Sequence, residues 1–403
     1  MHILKVICSL SFRHGGPTVA CLNQARALAD RGHKVTIYTT NDYDDSLLKV
    51  PLNQTYQNIK KDGYEISYFS LTFHSISLLR KYYFSIPLKQ TLSETILKYD
   101  IIYIYSLYRF PPTITAYYAR KYQIPYVINP HGSLDPFLFK KKRWIKFPHE
   151  RLFDFPNLNH ASAIHFTSLE EQQLVTPLKL KSPGIIIPLG IDVKQYRYLS
   201  KGHFRRQYNL FESKILLFFG RINFKKGLNL LIPAFSQIIK KHEDVTLILA
   251  GPDNEGYGKK VSKWINEYNL EKNVIFTGMI TGEKKKALLA DADVFILPSY
   301  TENFGIAVVE AMAAGIPVII SDKVNIWREV KEGNAGIVVS CNVQEIAKAC
   351  IELLSDDTLR HTMGENGKII AENLFSIENT AKKLEESFIE IIKKYKSKCE
   401  STT

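Results

Sequence analysis

The stretch VFILPSYTENFGIAVVEAMAAGIPVIIS, Val294 to Ser321, carries the folding signal most plainly. Its two ends, VFILPS and PVIIS, are short, continuous aliphatic runs bounded by turn residues, the pattern of strands covered on both faces. Between them the spacing predicts a helix from Gly305 to Ala314, with Gly315 as its stop and Pro317 just beyond. Strand, helix, strand is the repeating unit of a parallel sheet. One residue breaks the pattern. Glu310 stands among Val308, Val309, Met312 and Ala313, where a carboxylate is costly unless it is hydrogen-bonded. A second carboxylate, Glu302, lies in the preceding loop, with seven residues between the two.

The same alternation extends upstream. KILLFFG from Lys214, VTLILAG from Val245 and VIFTG from Val274 are strands, each followed by a turn and helical spacing. An earlier series opens the chain: HILKVICSL, a helix over Thr18 to Gly32, then HKVTIYTT, with Ile101–Tyr105, Tyr126–Ile128 and Ala163–Thr167 further on. Two series predict two doubly wound α/β domains, as a length of 403 residues also suggests. The boundary is expected near PLGIDVKQYRYLS, Pro188 to Ser200, giving domains over residues 1–193 and 194–375. Leu384, Phe388, Ile391 and Ile392 fall at helical spacing in a terminal, basic-ended helix from Ser376.

The 45% hydrophobic and 23% charged fractions are those of a globular protein, and no apolar run reaches the roughly 18 residues of a membrane helix. MHILKVICSLSF is interrupted by Lys5 and lacks a cleavage site, so it reads as a buried first strand, and a cytoplasmic location is expected. Five scattered cysteines (Cys8, Cys21, Cys341, Cys350 and Cys399) point to reduced, mostly buried thiols. The net charge of +13 is uneven: residues 1–190 hold 23 Lys and Arg against 13 Asp and Glu. Nucleic acid, an anionic membrane and a phosphorylated substrate all fit that charge.

Ligands of such sheets bind beyond the carboxyl ends of the strands. After the first strand come His14, Gly15, Gly16 and Pro17, a turn that brings backbone amides close to a phosphate or sugar, or simply joins strand to helix tightly. After Tyr126–Ile128 come His131 and Gly132, placed to bond a sugar hydroxyl, shuttle a proton, or shape a turn. Arg221 and Lys226, each beside a glycine, offer a planar fork and a point charge to an anion. Free amides near Phe304, Gly305, Ile306 and Ala307 would face a phosphate at the helix mouth. Glu310, about 7 to 8 Å along the helix axis, would satisfy both oxygens on vicinal hydroxyls such as a ribose, and Glu302 would reach a second polyol. The alternative for Glu310 is a partner Lys or Arg in the core wall. Asp291 and Asp293 form a DxD, as do Asp42 and Asp44; Asp293 precedes its strand and reads as structural, so no metal is expected.

Taken together these residues resemble glycosyltransferase family 4, the retaining group 1 glycosyltransferases of the GT-B fold. The resemblance spans nearly the whole chain: Gly15–Gly16, His131–Gly132, TSLEE (Thr167 to Glu171), Gly190 to Asp192 of PLGID, Arg221 with Lys226 and Gly227, Gly278, Pro298–Ser299, and the Glu302–Glu310 pair. It implies two Rossmann-like domains facing across a cleft, the terminal helix (376–403) crossing back onto the first. The implied donor is a nucleoside diphosphate sugar. Arg221 and Lys226 would grip the diphosphate, Phe304 to Ile306 and Gly16 would offer amides, and Glu310 would hold ribose. Glu302 and His131 would meet the transferred sugar, with Gly278, Met279 and Ile280 at the base. Retention, a leaving phosphate that accepts the acceptor's proton, and independence of metal or other cofactor are likewise implied. Asn303, where the family often has Gly, and PLGID in place of NGxD bear on sugar and base preference.

The resemblance places acceptors on the basic first half. There FLFKKKRWIKFPHERLF, Phe137 to Phe153, mixes cations with aromatics, as a segment resting on an anionic membrane does, or as a solvated basic helix does. The reading is a peripheral membrane enzyme extending a polyprenyl-diphosphate-linked sugar in exopolysaccharide, capsule or O-antigen assembly. The competing readings are a nucleotide-sugar epimerase on a similar fold, a non-catalytic basic nucleic-acid-binding protein, for which no motif exists, and a membrane adaptor.

Overall fold

A computed structural model describes residues 1–12, 15–43, 46–53, 55–57, 63–136 and 143–400. The chain divides into two compact units, Met1–Gly190 with Ile377–Thr403, and Ile191–Ser376.

The first unit contains β1 (His2–Val6), β2 (Lys34–Thr40), β3 (Asp42–Tyr43), β4 (Ser46–Leu47), β5 (Thr55–Gln57), β6 (Glu65–Phe69), β7 (Ile101–Tyr105), β8 (Tyr126–Asn129), β9 (Ala163–Phe166) and β10 (Gly184–Ile186). Its main sheet runs β10-β9-β8-β7-β1-β2-β6-β5, parallel except where β5 meets β6, and β3 pairs with β4 alone. Successive residues of β1 face opposite layers. Leu4 and Val6 pack with Leu88, Leu92 and Ile104 on one side. Ile3 and Ile7 pack on the other with Cys21, Ala25 and Leu28 of the Gly16–Asp30 helix and with Ala381, Leu384 and Phe388 of the Ile377–Glu400 helix. That terminal helix approaches so closely that a Cβ on Gly190 would lie 2.6 Å from the Ile377 backbone. Gly190 of PLGID therefore has a packing role here.

The second unit carries β11 (Lys214–Phe219), β12 (Val245–Ala250), β13 (Val274–Gly278), β14 (Val294–Leu297), β15 (Val318–Ser321) and β16 (Gly336–Val339) in the order β13-β12-β11-β14-β15-β16, all parallel. Counted within the unit this is 3-2-1-4-5-6, the doubly wound order whose direction reverses between the first and fourth strands. In the first unit the reversal lies between β1 and β7.

Details differ from the sequence reading. The first helix starts at Gly16, because Pro17 suits a first turn and Gly15 takes φ 71° ahead of it. β6, β10 and β16 are strands that periodicity does not reveal. The Asp291–Asp293 pair is occupied structurally: Asp291 accepts the amides of Phe204 (2.8 Å) and Arg205 (3.0 Å), and Asp293 pairs with Arg205 at 2.7 Å. Asp42 pairs with Arg80 at 3.1 Å; Asp44 lies outside the described residues. Cys8, Cys21 and Cys350 are buried thiols and Cys341 is partly buried, whereas the Cys399 side chain lies outside the description. Among the described residues no helix is long and apolar enough to cross a membrane, and no cluster of three His, Cys, Asp or Glu is arranged around a metal position.

One core residue is charged. Lys5, in the middle of β1, is fully buried and no carboxylate pairs with it among the described residues. Burial pushes its ammonium down to about 8. Below pH 8 both folded and unfolded chains hold the proton, and the folded chain carries the full desolvation cost, on the order of 3 kcal/mol. Between pH 8 and 10.5 the folded chain sheds the proton while the unfolded chain keeps it, so stability contributed at this site rises. Lys5→Met is therefore expected to be more stable than wild type at pH 7 in urea unfolding, with the gap narrowing toward pH 10.

Candidate functional site

In the second unit the chemistry gathers beyond the carboxyl ends of β11, β13 and β14. The loops after β11 and β14 are tied together: the Tyr300 amide donates to the Lys225 carbonyl at 2.7 Å. Gly227, at φ 69°, follows the short turn Phe224–Lys226, and a Cβ there would sit 2.0 Å from the Pro298 carbonyl oxygen. Only glycine allows that approach. It brings the Lys226 ammonium onto the Glu302 carboxylate, an ion pair whose two side chains remain 13% and 21% exposed. Glu302 is fixed through its backbone, donating to the Lys323 carbonyl and accepting from the Asn325 amide, each at 3.0 Å. Arg221 is exposed, and no ion pair holds it among the described residues.

Behind this edge the Ile306–Ala313 helix starts from Gly305 at φ 80°. Phe304 is buried, its ring edge-on to Phe375, so its side chain anchors the loop while the leading amides of the helix have no carbonyl a turn earlier to bond. Glu310 has the compensation its surroundings demand. It accepts from the Tyr196 hydroxyl at 3.0 Å and from Lys285 at 2.7 Å. Burial, then the Glu310 charge, raise the Tyr196 phenol, which stays a donor. The core-wall partner considered from the sequence is thus present as Lys285. Lys285 and Tyr196 went unrecognised: one is buried in a run of three lysines, the other follows PLGID with no distinguishing neighbour. At the end of β13, Gly278 takes φ 65° with open space beside it, Met279 is 45% exposed and Ile280 is partly buried.

The first unit has its own polar cluster, beyond β1, β7 and β8. His131 takes φ 49° and Gly132 φ 71°, a left-handed pair. The His131 amide bonds the Asn129 side chain at 2.9 Å, and the Gly132 amide bonds Glu171 at 2.9 Å. The other oxygen of Glu171 accepts the amide and hydroxyl of Thr167 at 2.7 and 2.8 Å. TSLEE is therefore the clamp that holds the histidine turn. The imidazole lies on the Tyr105 ring, centroids 5.3 Å apart and planes 15° apart, and its Nε2 is buried without a hydrogen-bond partner among the described residues. Burial first, then His165 and Lys5, push His131 down to about 3, so it is neutral at physiological pH. Gly15 and Gly16 open the neighbouring helix; His14 lies outside the described residues.

Of the basic-aromatic segment, residues 137–142 lie outside the described residues. The rest forms a helix, Arg143–His149, and a π turn, Glu150–Asp154, with Phe147, Leu152 and Phe153 exposed. His149 pairs with Asp154 of the same segment at 2.7 Å and ties the segment to the unit through the Tyr82 hydroxyl at 2.9 Å. Elsewhere in the first unit a cavity of about 240 Å³ is lined by Phe12, Tyr43, Tyr64 and Tyr68.

Residues 14–195 match the family model for Glycosyltransferase Family 4, and residues 200–369 the one for Glycosyl transferases group 1. N-acetyl-alpha-D-glucosaminyl L-malate synthase of Bacillus anthracis is 25% identical over 94% of this chain and 95% of its own. An uncharacterised glycosyltransferase of Methanocaldococcus jannaschii is 33% identical over 45% of this chain and 46% of its own. Several relatives are, like the latter, matched along about half their length. HepE of Anabaena, solved with UDP and glucose, aligns with a TM-score of 0.76 at 21% identity over 97% of this chain and 100% of that one. WaaG, a glycosyltransferase involved in lipopolysaccharide biosynthesis, aligns at 0.69 and 17% identity over 94% and 98%. These likenesses show the GT-B fold.

Two substitutions test the local geometry. Gly227→Ala is expected to cost several kcal/mol in urea unfolding, on the order of the strain that overpacking brings. Glu171→Ala, which strips three donors of a buried charged acceptor, is expected to cost about 3 kcal/mol.

Proposed function

The chain belongs to glycosyltransferase family 4, the group 1 glycosyltransferases, and on that premise we propose that it moves a hexose-type sugar from a UDP-sugar to a lipid-linked glycan with retention of configuration. The carrying observation is the cationic edge of the second sheet, where exposed Arg221 and the Lys226–Glu302 pair stand with the open helix amides near Phe304–Ile306. A diphosphate there would meet a guanidinium fork, an ammonium and backbone N–H groups. When phosphate draws Lys226, Glu302 is released to hydroxyls of the transferred sugar. Glu310, already fixed by Tyr196 and Lys285, meets ribose, and Gly278, Met279 and Ile280 lie along the base.

The chemistry is same-face attack. The bond from the anomeric carbon to the donor phosphate breaks, the acceptor oxygen bonds to that carbon, and the acceptor's proton passes to the departing phosphate. Arg221 and Lys226 stabilise the charge that develops on that phosphate, which is the main catalytic work. Gly15 and Gly16 present the helix mouth of the first unit, and His131, a neutral imidazole, bonds a sugar hydroxyl through Nε2. UDP is favoured over GDP because HepE, of the same fold, was solved with UDP.

The acceptor side is the basic first half, whose exposed Phe147, Leu152 and Phe153 suit the interface of an anionic membrane on the cytoplasmic side. WaaG's part in lipopolysaccharide biosynthesis supports a place in surface-polysaccharide assembly.

A thermal-shift panel of UDP, GDP, ADP and their sugars tests the donor. UDP and a UDP-sugar are expected to raise the melting temperature, and the rise to vanish in Arg221→Ala and Glu310→Ala. No shift with any nucleotide sinks the donor reading. Cosedimentation with phosphatidylglycerol vesicles tests the membrane: binding is expected at low salt and loss at high salt.

A further inference from the structure

The group that costs the first unit stability sits directly beneath the one proposed to meet sugar. Lys5 donates to the Tyr105 hydroxyl at 2.7 Å and to Gln24 Oε1 at 3.0 Å, and that hydroxyl donates to the same Gln24 oxygen at 2.7 Å. The ammonium also lies 4.8 and 5.3 Å from the ring centroids of Tyr103 and Tyr105. Its position follows from the sheet: β1 and β7 are neighbours at the point where strand order reverses, and Tyr105 is the last residue of β7. Three hydrogen bonds thus close a triangle that fixes the phenol. The His131 ring lies flat on that phenol, with Nε2 buried and unpartnered among the described residues.

An apolar residue at position 5 would fill the layer that Ile3 and Ile7 share without the cost of a buried charge. A charge kept at such cost calls for a function. We propose that Lys5 is a positioning residue for His131: by fixing the Tyr105 hydroxyl it sets the plane on which the imidazole rests and so aims Nε2 at a sugar hydroxyl. This rests on the reading of His131 as a sugar-binding group.

One further charge lies close to these groups: Glu171 accepts the Gly132 amide beside His131 and acts on Tyr103. Tyr103 and Tyr105 from β7, and Gln24 and Cys21 from the Gly16–Asp30 helix, face Lys5, and the terminal helix contributes Phe388 against Tyr103. His131 faces Tyr105, with His165 and Lys5 acting on it by charge. Burial also pushes His165 down to about 4, so Lys5 is the cation of the cluster at neutral pH.

The test compares Lys5→Met, Tyr105→Phe, His131→Ala and the Lys5→Met/His131→Ala double variant with wild type. UDP affinity is expected to stay within about twofold throughout, because the nucleotide contacts belong to the second unit. The kcat/KM for UDP-glucose hydrolysis is expected to fall on the order of tenfold in Lys5→Met, and the double variant to be no worse than His131→Ala alone. A purely structural lysine would change stability and leave that ratio alone. Wild-type kcat/KM in Lys5→Met, or an additive double variant, overturns the proposal. Histidine ring NMR gives a readout independent of the donor. With the His131 signal assigned by its loss in His131→Gln, Lys5→Met and Tyr105→Phe are expected to move it, since ring stacking and charge both change. If wild type neither binds nor hydrolyses UDP-glucose, the donor reading fails by itself, and an unmoved His131 signal then rejects the role of Lys5.

Discussion

A parallel sheet covered on both faces leaves polar side chains one place to work, the loops beyond the carboxyl ends of its strands. Both units obey this constraint. Beyond Lys214, which opens β11, the side chains along β11, β12 and β14 are almost wholly aliphatic or aromatic and buried, and charge returns where the strands stop, at Arg221, Lys226 and Glu302. Bringing those loops together requires backbone to touch backbone. Gly227 against the Pro298 carbonyl, and Gly251 against that of Gly220, make this possible, so the arrangement of charges at the edge depends on contacts that contain no side chain.

Two departures from the constraint are instructive because they are resolved differently. Glu310 is a buried carboxylate with an ammonium at 2.7 Å and a phenol at 3.0 Å, so its charge is compensated before any ligand arrives. Lys5 is a buried ammonium with two oxygen acceptors and two aromatic faces and, among the described residues, no carboxylate paired with it. The first arrangement stiffens a helix at the head of the proposed donor pocket. The second maintains a local positive potential beneath a neutral imidazole.

Much of this was legible in the sequence, for reasons that can be named. Strands such as KILLFFG and VTLILAG are long, central and uniformly apolar, so composition alone identifies them. β6, EISYF, alternates polar with apolar near a sheet edge; β10 has three residues; β16, GIVV, is short and opens with a glycine. None carries enough signal against its flanks. The Asp291–Asp293 pair was readable as structural from its place before a strand. The partners of Glu310 were not readable, because Lys285 is 25 residues away and Tyr196 is 114, and only the packed fold brings them to one carboxylate. The support of His131 by Glu171 escaped for the same reason: a separation of 39 residues joins the Gly132 amide to it.

The glycine contacts have a consequence at the level of the gene. Every single-nucleotide missense change at a glycine codon installs a side chain, since every other amino acid carries a Cβ. At Gly227 and Gly251 that first carbon would fall 2.0 Å from a carbonyl oxygen of the main chain, which cannot rotate aside as a flexible side chain could. No one-step replacement is mild at either site. Drift in such a lineage is therefore steered toward the loops' other positions, where acceptor and sugar preference can change while the frame beneath them is held still.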